Sequence, residues 1–192
     1  KPAFAQIAGG INYALAIGAD GSISGWGDNG SGQLGDGTSS NSRSLPAPVL
    51  APPGLTFIRV TAGNSESFAI ASDGNAYAWG MNKFGQLGNG QLGVGSLVPV
   101  AVQMPAGVAF NDIDAGDLFS VAIGSDGNAY AWGRNAFGQL GDGTATNRSA
   151  PVPVQTPAGV TFTRVAAGIQ HAVALGSDGN AYAWGEGAFG AL

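Results

Sequence analysis

The 192-residue sequence is 44% hydrophobic, 10% charged and contains 34 glycines; that apolar content can fill a core, and the glycine excess over the usual ~7% points to many tight turns rather than disorder. A net charge of −5 with scattered Lys and Arg argues against nucleic-acid partners, which need a basic patch, and the lack of cysteine excludes a disulfide framework and thiolate metal sites. No apolar run approaches the ~20 residues of a membrane-spanning helix, so no membrane insertion is expected.

The chain divides into four similar segments. The first, residues 1–45, enters at a strand around Phe4 and passes Gly10, Asp20-Gly21, Trp26-Gly27 and then Gly32-Gln33-Leu34-Gly35. The second, 46–98, starts with a Pro-rich strand at Pro46–Leu50, continues through the Phe57–Val60 strand, and repeats the marks at Gly63, Asp73-Gly74, Trp79-Gly80 and Gly85–Gly88. The third, 99–150, does the same with Trp132, and so does the fourth, 151–192, with Trp184, except that its last mark reads Gly190-Ala191-Leu192. The four Trp residues are 53, 53 and 52 residues apart, and each follows an Asp-Gly pair by six.

Within a segment the pattern reads as short strands. Ser67–Ala71 and Ala76–Trp79 flank Ser72-Asp73-Gly74-Asn75, and Asp-Gly between strand-like runs is a hairpin signal because both turn residues tolerate positive φ. The Pro-rich strand is expected at a blade edge, since proline has no N–H to donate. Four strands in about 52 residues, repeated, predict an all-β fold of β-propeller blades. On this division the first segment lacks its Pro-rich strand, leaving three four-stranded blades and one of three strands. The array then belongs to a longer propeller, pairs with copies of itself through its end blades, or closes alone.

The run Ala167-Gly168-Ile169-Gln170-His171-Ala172-Val173-Ala174-Leu175, followed by Asp178-Gly179 and Trp184-Gly185, resembles the regulator of chromosome condensation repeat. Phe137-Gly138-Gln139-Leu140-Gly141-Asp142-Gly143-Thr144, with Arg148 and Pro151-Val152-Pro153-Val154, completes the likeness. The resemblance implies a propeller, most often seven-bladed, in a family whose members include nucleotide-exchange factors, protein-interaction scaffolds and a bacterial β-lactamase inhibitor protein. Fold carries over from such a likeness better than function does. The low Lys content and Ser/Thr/Asn/Gly-rich loops point to a secreted bacterial setting.

Signals for chemistry are thin. His171 is the only histidine, too little for a triad or a zinc site. Gly30-Ser31-Gly32-Gln33-Leu34-Gly35 fits a dinucleotide fingerprint but opens no helix. Asp36-Gly37 and Asp142-Gly143 offer one acid each where calcium wants several. No enzyme and no cofactor is expected. The four Trp residues are expected to pack between blades rather than form a ligand cage, and Phe84, Phe137 and Phe189 are expected in the core.

Positions that vary among the four copies are the better functional candidates. One set follows Trp-Gly: Asp28 and Asn29, Asn82 and Lys83, Arg134, and Glu186. The other follows the Ala-Gly or Gly-Gly step: Tyr13, Glu66, Leu118 and Phe119, Gln170 and His171. Together they are expected to bind a protein partner or copies of the chain, with Tyr13 and Phe119 as exposed anchors. The primary expectation is a non-catalytic scaffold; a self-assembling subunit and a fragment of an exchange factor are the alternatives.

Overall fold

The computed structural model describes residues 4–39 and 42–192; Lys1, where the first segment was placed to begin, lies outside them. The described residues form fifteen strands and one short 3-10 turn at Ala188–Gly190. The first sheet holds β1 (Phe4–Gly9), β2 (Tyr13–Gly18), β3 (Ile23–Gly27) and β4 (Arg43–Pro48). The second holds β5 (Phe57–Ala62), β6 (Glu66–Ala71), β7 (Ala76–Gly80) and β8 (Ser96–Ala101). The third holds β9 (Phe110–Ala115), β10 (Phe119–Gly124), β11 (Ala129–Gly133) and β12 (Arg148–Pro153). The fourth has three strands, β13 (Phe162–Ala167), β14 (His171–Gly176) and β15 (Ala181–Gly185). Every sheet is an antiparallel meander in chain order, the build of a propeller blade.

The structure corrects the segment boundaries. Each Pro-rich strand pairs with the Trp strand before it, as in Ala131↔Val152 and Tyr130↔Pro153, so it closes its own blade rather than opening the next. The first blade is therefore complete, and the three-stranded sheet is the last. In the first and third blades an ion pair supports this return, Asp36 binding Arg43 at 2.6 Å and Asp142 binding Arg148 at 2.8 Å at the start of β4 and β12; β8 returns to β7 without one. Placing proline on this outer strand leaves its missing N–H facing away from the ladder.

The innermost strands β1, β5, β9 and β13 do not pair into one sheet; side chains tie them instead. Gln6 Oε1 accepts the Val60 N–H at 2.9 Å, and Asp114 Oδ2 accepts the Ala167 N–H at 2.8 Å. The apolar core lies in the three seams between blades. In the first, Leu15, Ile17 and Leu34 meet Phe57, Val60 and Trp79; in the second, Phe68, Ile70 and Leu87 meet Phe110, Ile113 and Trp132. The third joins Val121, Ile123 and Leu140 to Phe162 and Ala174, with Trp184 against its edge.

A repeated hydrogen bond locks each seam. The Trp79 indole donates to the Gln33 carbonyl at 2.8 Å, Trp132 to Gln86 at 2.8 Å and Trp184 to Gln139 at 3.0 Å. Ser67 and Ser120 hydroxyls donate to the first two of those carbonyls as well. Phe110 and Phe162 stack on Trp132 and Trp184 with ring centroids 5.7 and 5.9 Å apart. The tryptophans thus pack between blades, and their N–H groups are used. The recurring glycines make room for the lock. Gly88 has φ +66°, and a Cβ there would sit 2.8 Å from Trp132 Nε1; Gly133 has φ +102°, and a Cβ would sit 2.6 Å from the Leu118 carbonyl.

Trp132 is fully buried, whereas Trp26, with no preceding blade over it, is half-buried. Trp132→Ala is expected to lower the unfolding free energy by about 3–5 kcal/mol and Trp26→Ala by less than about half of that. Urea denaturation measures both; equal losses would mean that the seam is not where the indoles contribute.

Candidate protein-binding face

In an antiparallel meander the β1–β2 turn and the β3–β4 loop emerge at the same end of a blade. Both variable sets therefore lie on one face of the array, and a hydrogen bond joins them in every blade. Asp28 N–H donates to the Asn12 carbonyl at 2.9 Å, Met81 to Ser65 at 2.8 Å, Arg134 to Leu118 at 2.9 Å and Glu186 to Gln170 at 2.9 Å. The β1–β2 turn and its counterparts, without the β3–β4 loops, rim a cleft of ≈ 610 Å³ whose lining includes Ile11, Asn64, Asp117 and Ile169.

Not all candidates reach that face. Asn29 and Asn82, together with Asn135, are buried. Asn135 Oδ1 accepts the Leu140 N–H, while its Nδ2 donates to Asp142 and to the Thr144 and Thr146 carbonyls at 3.0–3.1 Å. Asn29 makes the matching bonds to Leu34, Asp36 and Thr38, and Asn82 to Leu87, Asn89, Gln91 and Val94. These asparagines shape the loops from within. A second buried amide, Gln33, Gln86 or Gln139, accepts the N–H two residues before it at 2.8–2.9 Å. Burial alone would raise the Asp36 and Asp142 carboxyls, but hydrogen bonds from Thr38 and Thr144 and the adjacent guanidinium groups outweigh it and hold both below the usual range. The same bonds occupy the acids considered for calcium.

Tyr13, Glu66 and Phe119 are also buried, which corrects their reading as exposed contacts. They begin β2, β6 and β10, and their side chains enter the seam toward the next blade. The Tyr13 hydroxyl donates to the Glu66 carbonyl at 2.5 Å, and its oxygen lies 3.0 Å from that of Ser67; burial pushes its acidity down. His171 holds the same position in the fourth blade and is half-buried beside Gly168. Glu66 is shorter than tyrosine and leaves Oε1 without a partner among the described residues. Burial pushes its carboxyl well above the ordinary value; the Ser65 N–H opposes this, and the nearby negative charge of Asp117 reinforces it.

What remains on the face is Lys83, exposed, with Asp28, Arg134, Glu186, Leu118 and Gln170 half-buried. Phe84 and Phe137, assigned to the core from sequence, stand at this surface: Phe84 is half-buried and Phe137 is 41% exposed. Ser31 in the same register of the first blade is the signal that the position carries no core demand. The side chain of Phe189 lies outside the described ones. No group of three or more His, Cys, Asp or Glu residues able to hold a metal occurs among the described residues. The Gly30–Gly35 fingerprint closes a blade loop instead of starting a helix.

The model of the RCC1-like domain matches residues 1–192. The ultraviolet-B receptor UVR8 of Arabidopsis thaliana is 32% identical over 185 residues, 96% of this chain and 42% of the receptor. Yeast RCC1 (Prp20), solved bound to Kap60, superposes with a TM-score of 0.82 at 29% identity over 97% of this chain and 44% of that one. Human WBSCR16 shares the fold, with a TM-score of 0.86 at 21% identity over 99% of this chain and 49% of that one. The chain thus spans less than half the length of each of these relatives.

Glu66 sets a pH dependence. Its carboxyl titrates higher folded than unfolded, so folding takes up a proton; its contribution is fully present below the unfolded value of ~4.3 and is lost as pH rises through the raised folded value. Asp117, on the facing β9–β10 turn, is the charged group opposing its ionisation. The stability difference between Glu66→Gln and the parent is expected to widen in favour of the variant from pH 5 to pH 8, by up to about 1.4 kcal/mol per pH unit. Urea denaturation across that range measures it; parallel profiles would show that Glu66 is not the group.

Proposed function

Since the chain belongs to the RCC1-like domain family, we propose that it is a non-catalytic protein-binding module that takes its partner on the face of the β1–β2 and β3–β4 loops. One observation carries this reading. The residues that recur among the blades are spent in the seams and loop interiors, while varied side chains of both charges stand on one end of a rigid array. Yeast RCC1 binds Kap60, and Prp20p of Saccharomyces cerevisiae has been studied for its binding to Gsp1p and histones. Those partners belong to that protein; they support protein recognition as the kind of work this scaffold does.

A second reading, assembly of copies through the end blades, is favoured by the complementarity of two uncovered faces. Val173 and Leu175 of β14 are 38% and 44% exposed, while their counterparts Leu15 and Ile17 are buried against Phe57 and Val60 of the next blade. Phe4 and Ile7 hold the places of Phe57 and Val60 in the first blade, and Ile7 is 74% exposed. One face is therefore a ready counterpart of the other, and head-to-tail contact follows ring or filament rules.

A cross-linking footprint of a bound protein partner is expected on residues 28, 30–31, 83–84, 117–118, 134, 136–137 and 186–187. A footprint confined to the opposite hairpin turns at Asp20-Gly21, Asp73-Gly74, Asp126-Gly127 and Asp178-Gly179 would remove the assignment of the face. For the second reading, light scattering of this chain is expected to give a mass that rises with concentration and falls in Val173→Lys; a constant monomer mass would end it.

A further inference from the structure

Seven basic residues serve a chain with a net charge of −5. Arg43, Arg59 and Arg148 each pair with an aspartate, at 2.6, 3.2 and 2.8 Å. Lys83 and Arg134 do not, among the described residues; they come together across the seam between the second and third blades. Lys83 Nζ lies 5.4 Å from the centroid of the Phe84 ring, and the Arg134 guanidinium carbon lies 5.7 Å from that centroid and 5.4 Å from that of Phe137. Attraction to ring faces holds each cation, worth about 0.5–1 kcal/mol at an exposed site. It neutralises neither.

The guanidinium makes no side-chain hydrogen bond among the described residues, so its fork of N–H donors is unused. The platform under it is stiff. Phe84 and Phe137 N–H groups donate to the buried Gln86 and Gln139 side chains at 2.9 Å, and the Arg134 N–H is held by Leu118. Leu92, 58% exposed, borders it beside Gly85. The arrangement is not required by the repeat: Asp28 and Glu186 occupy the Arg134 register in the outer blades, and Ser31 the Phe84 register in the first.

Resting on the reading of this face as the binding surface, we propose that Lys83, Phe84, Arg134 and Phe137 form the recognition site for an acidic, extended peptide segment of the partner protein. A carboxylate of the segment receives two N–H bonds from the edge of Arg134, the geometry that guanidinium favours, and a neighbouring carboxylate faces Lys83. Apolar atoms of the segment lie against Phe137 and Leu92. Two neighbouring cations suit a short acidic stretch. A nucleic-acid backbone would need a longer basic track.

Fluorescence anisotropy tests this with a rhodamine-labelled deca-glutamate peptide at low salt, beside deca-glutamine and a ten-residue thymidine oligonucleotide. Deca-glutamate is expected to bind, and the other two are not. Affinity is expected to fall at least tenfold in the Lys83→Gln/Arg134→Gln double variant and severalfold in Phe137→Ala, and to hold in Arg164→Gln, with thermal melts showing each variant folded. No binding of deca-glutamate, equal affinity in the double variant, or tighter binding of the oligonucleotide would overturn the proposal. A partner that still footprints on the loop face of the double variant with undiminished affinity would sink this site alone; a footprint on the opposite turns would sink the face with it.

Discussion

A four-stranded meander of about fifty residues has two apolar faces and no means of covering either, so each blade depends on its neighbours. The joint between neighbours is the same at every seam: an indole N–H from one blade ends on a glutamine carbonyl of the blade before. A buried carbonyl left without a donor would cost on the order of 1–3 kcal/mol, so the bond fixes where along the seam the sheets must sit. Burial of Trp79 and Trp132 supplies the area, and the hydrogen bond supplies the register. The glycine after each Trp and the glycine that closes each Gln-Leu pair fit this contact, because a side chain at the first would strike the adjacent turn and one at the second would strike the indole.

The same economy separates structure from recognition. Buried asparagine and glutamine side chains satisfy the loop backbones from inside, so the outward positions are free to differ. Asp28, Met81, Arg134 and Glu186 occupy one register with acidic, apolar and basic side chains, yet each N–H makes the same bond to the turn beside it. Variation at the surface therefore does not disturb the frame. In the second blade the loop even dispenses with the Asp–Arg pair, Asn89 standing in the aspartate's place, and Asn82 alone gathers its carbonyls at Gln91 and Val94.

The blades were legible in the sequence because the Trp, Asp-Gly and Gly-Gln-Leu-Gly marks recur at fixed spacing. The partner of the Pro-rich strand was not. An edge strand has one ladder to join, and chain order alone does not say whether that ladder precedes or follows it; what the three loops share is a buried asparagine, Asn29, Asn82 or Asn135, that binds both ends of the loop. Tyr13, Glu66 and Phe119 were misread because variation was equated with exposure. Their parity held the answer: Tyr13 is two and four residues from Leu15 and Ile17, and alternate residues of a strand share a face. A seam that accepts a tyrosine, a glutamate and a phenylalanine at one position tolerates variety inside as well as out. Phe84 and Phe137 erred in the opposite sense, since an aromatic ring recurring in register serves a surface when a cation covers it.

The indole-to-carbonyl joint also has a direction. The second and third blades each offer a carbonyl on one side and an indole on the other, so a whole unit carries both halves of its own coupling. A tandem duplication that copies one unit in frame would arrive with matching partners for both neighbours and leave existing joints intact. Lineages built this way can lengthen or shorten by whole units, and the loops of each new copy then diverge independently of the joint that secures it.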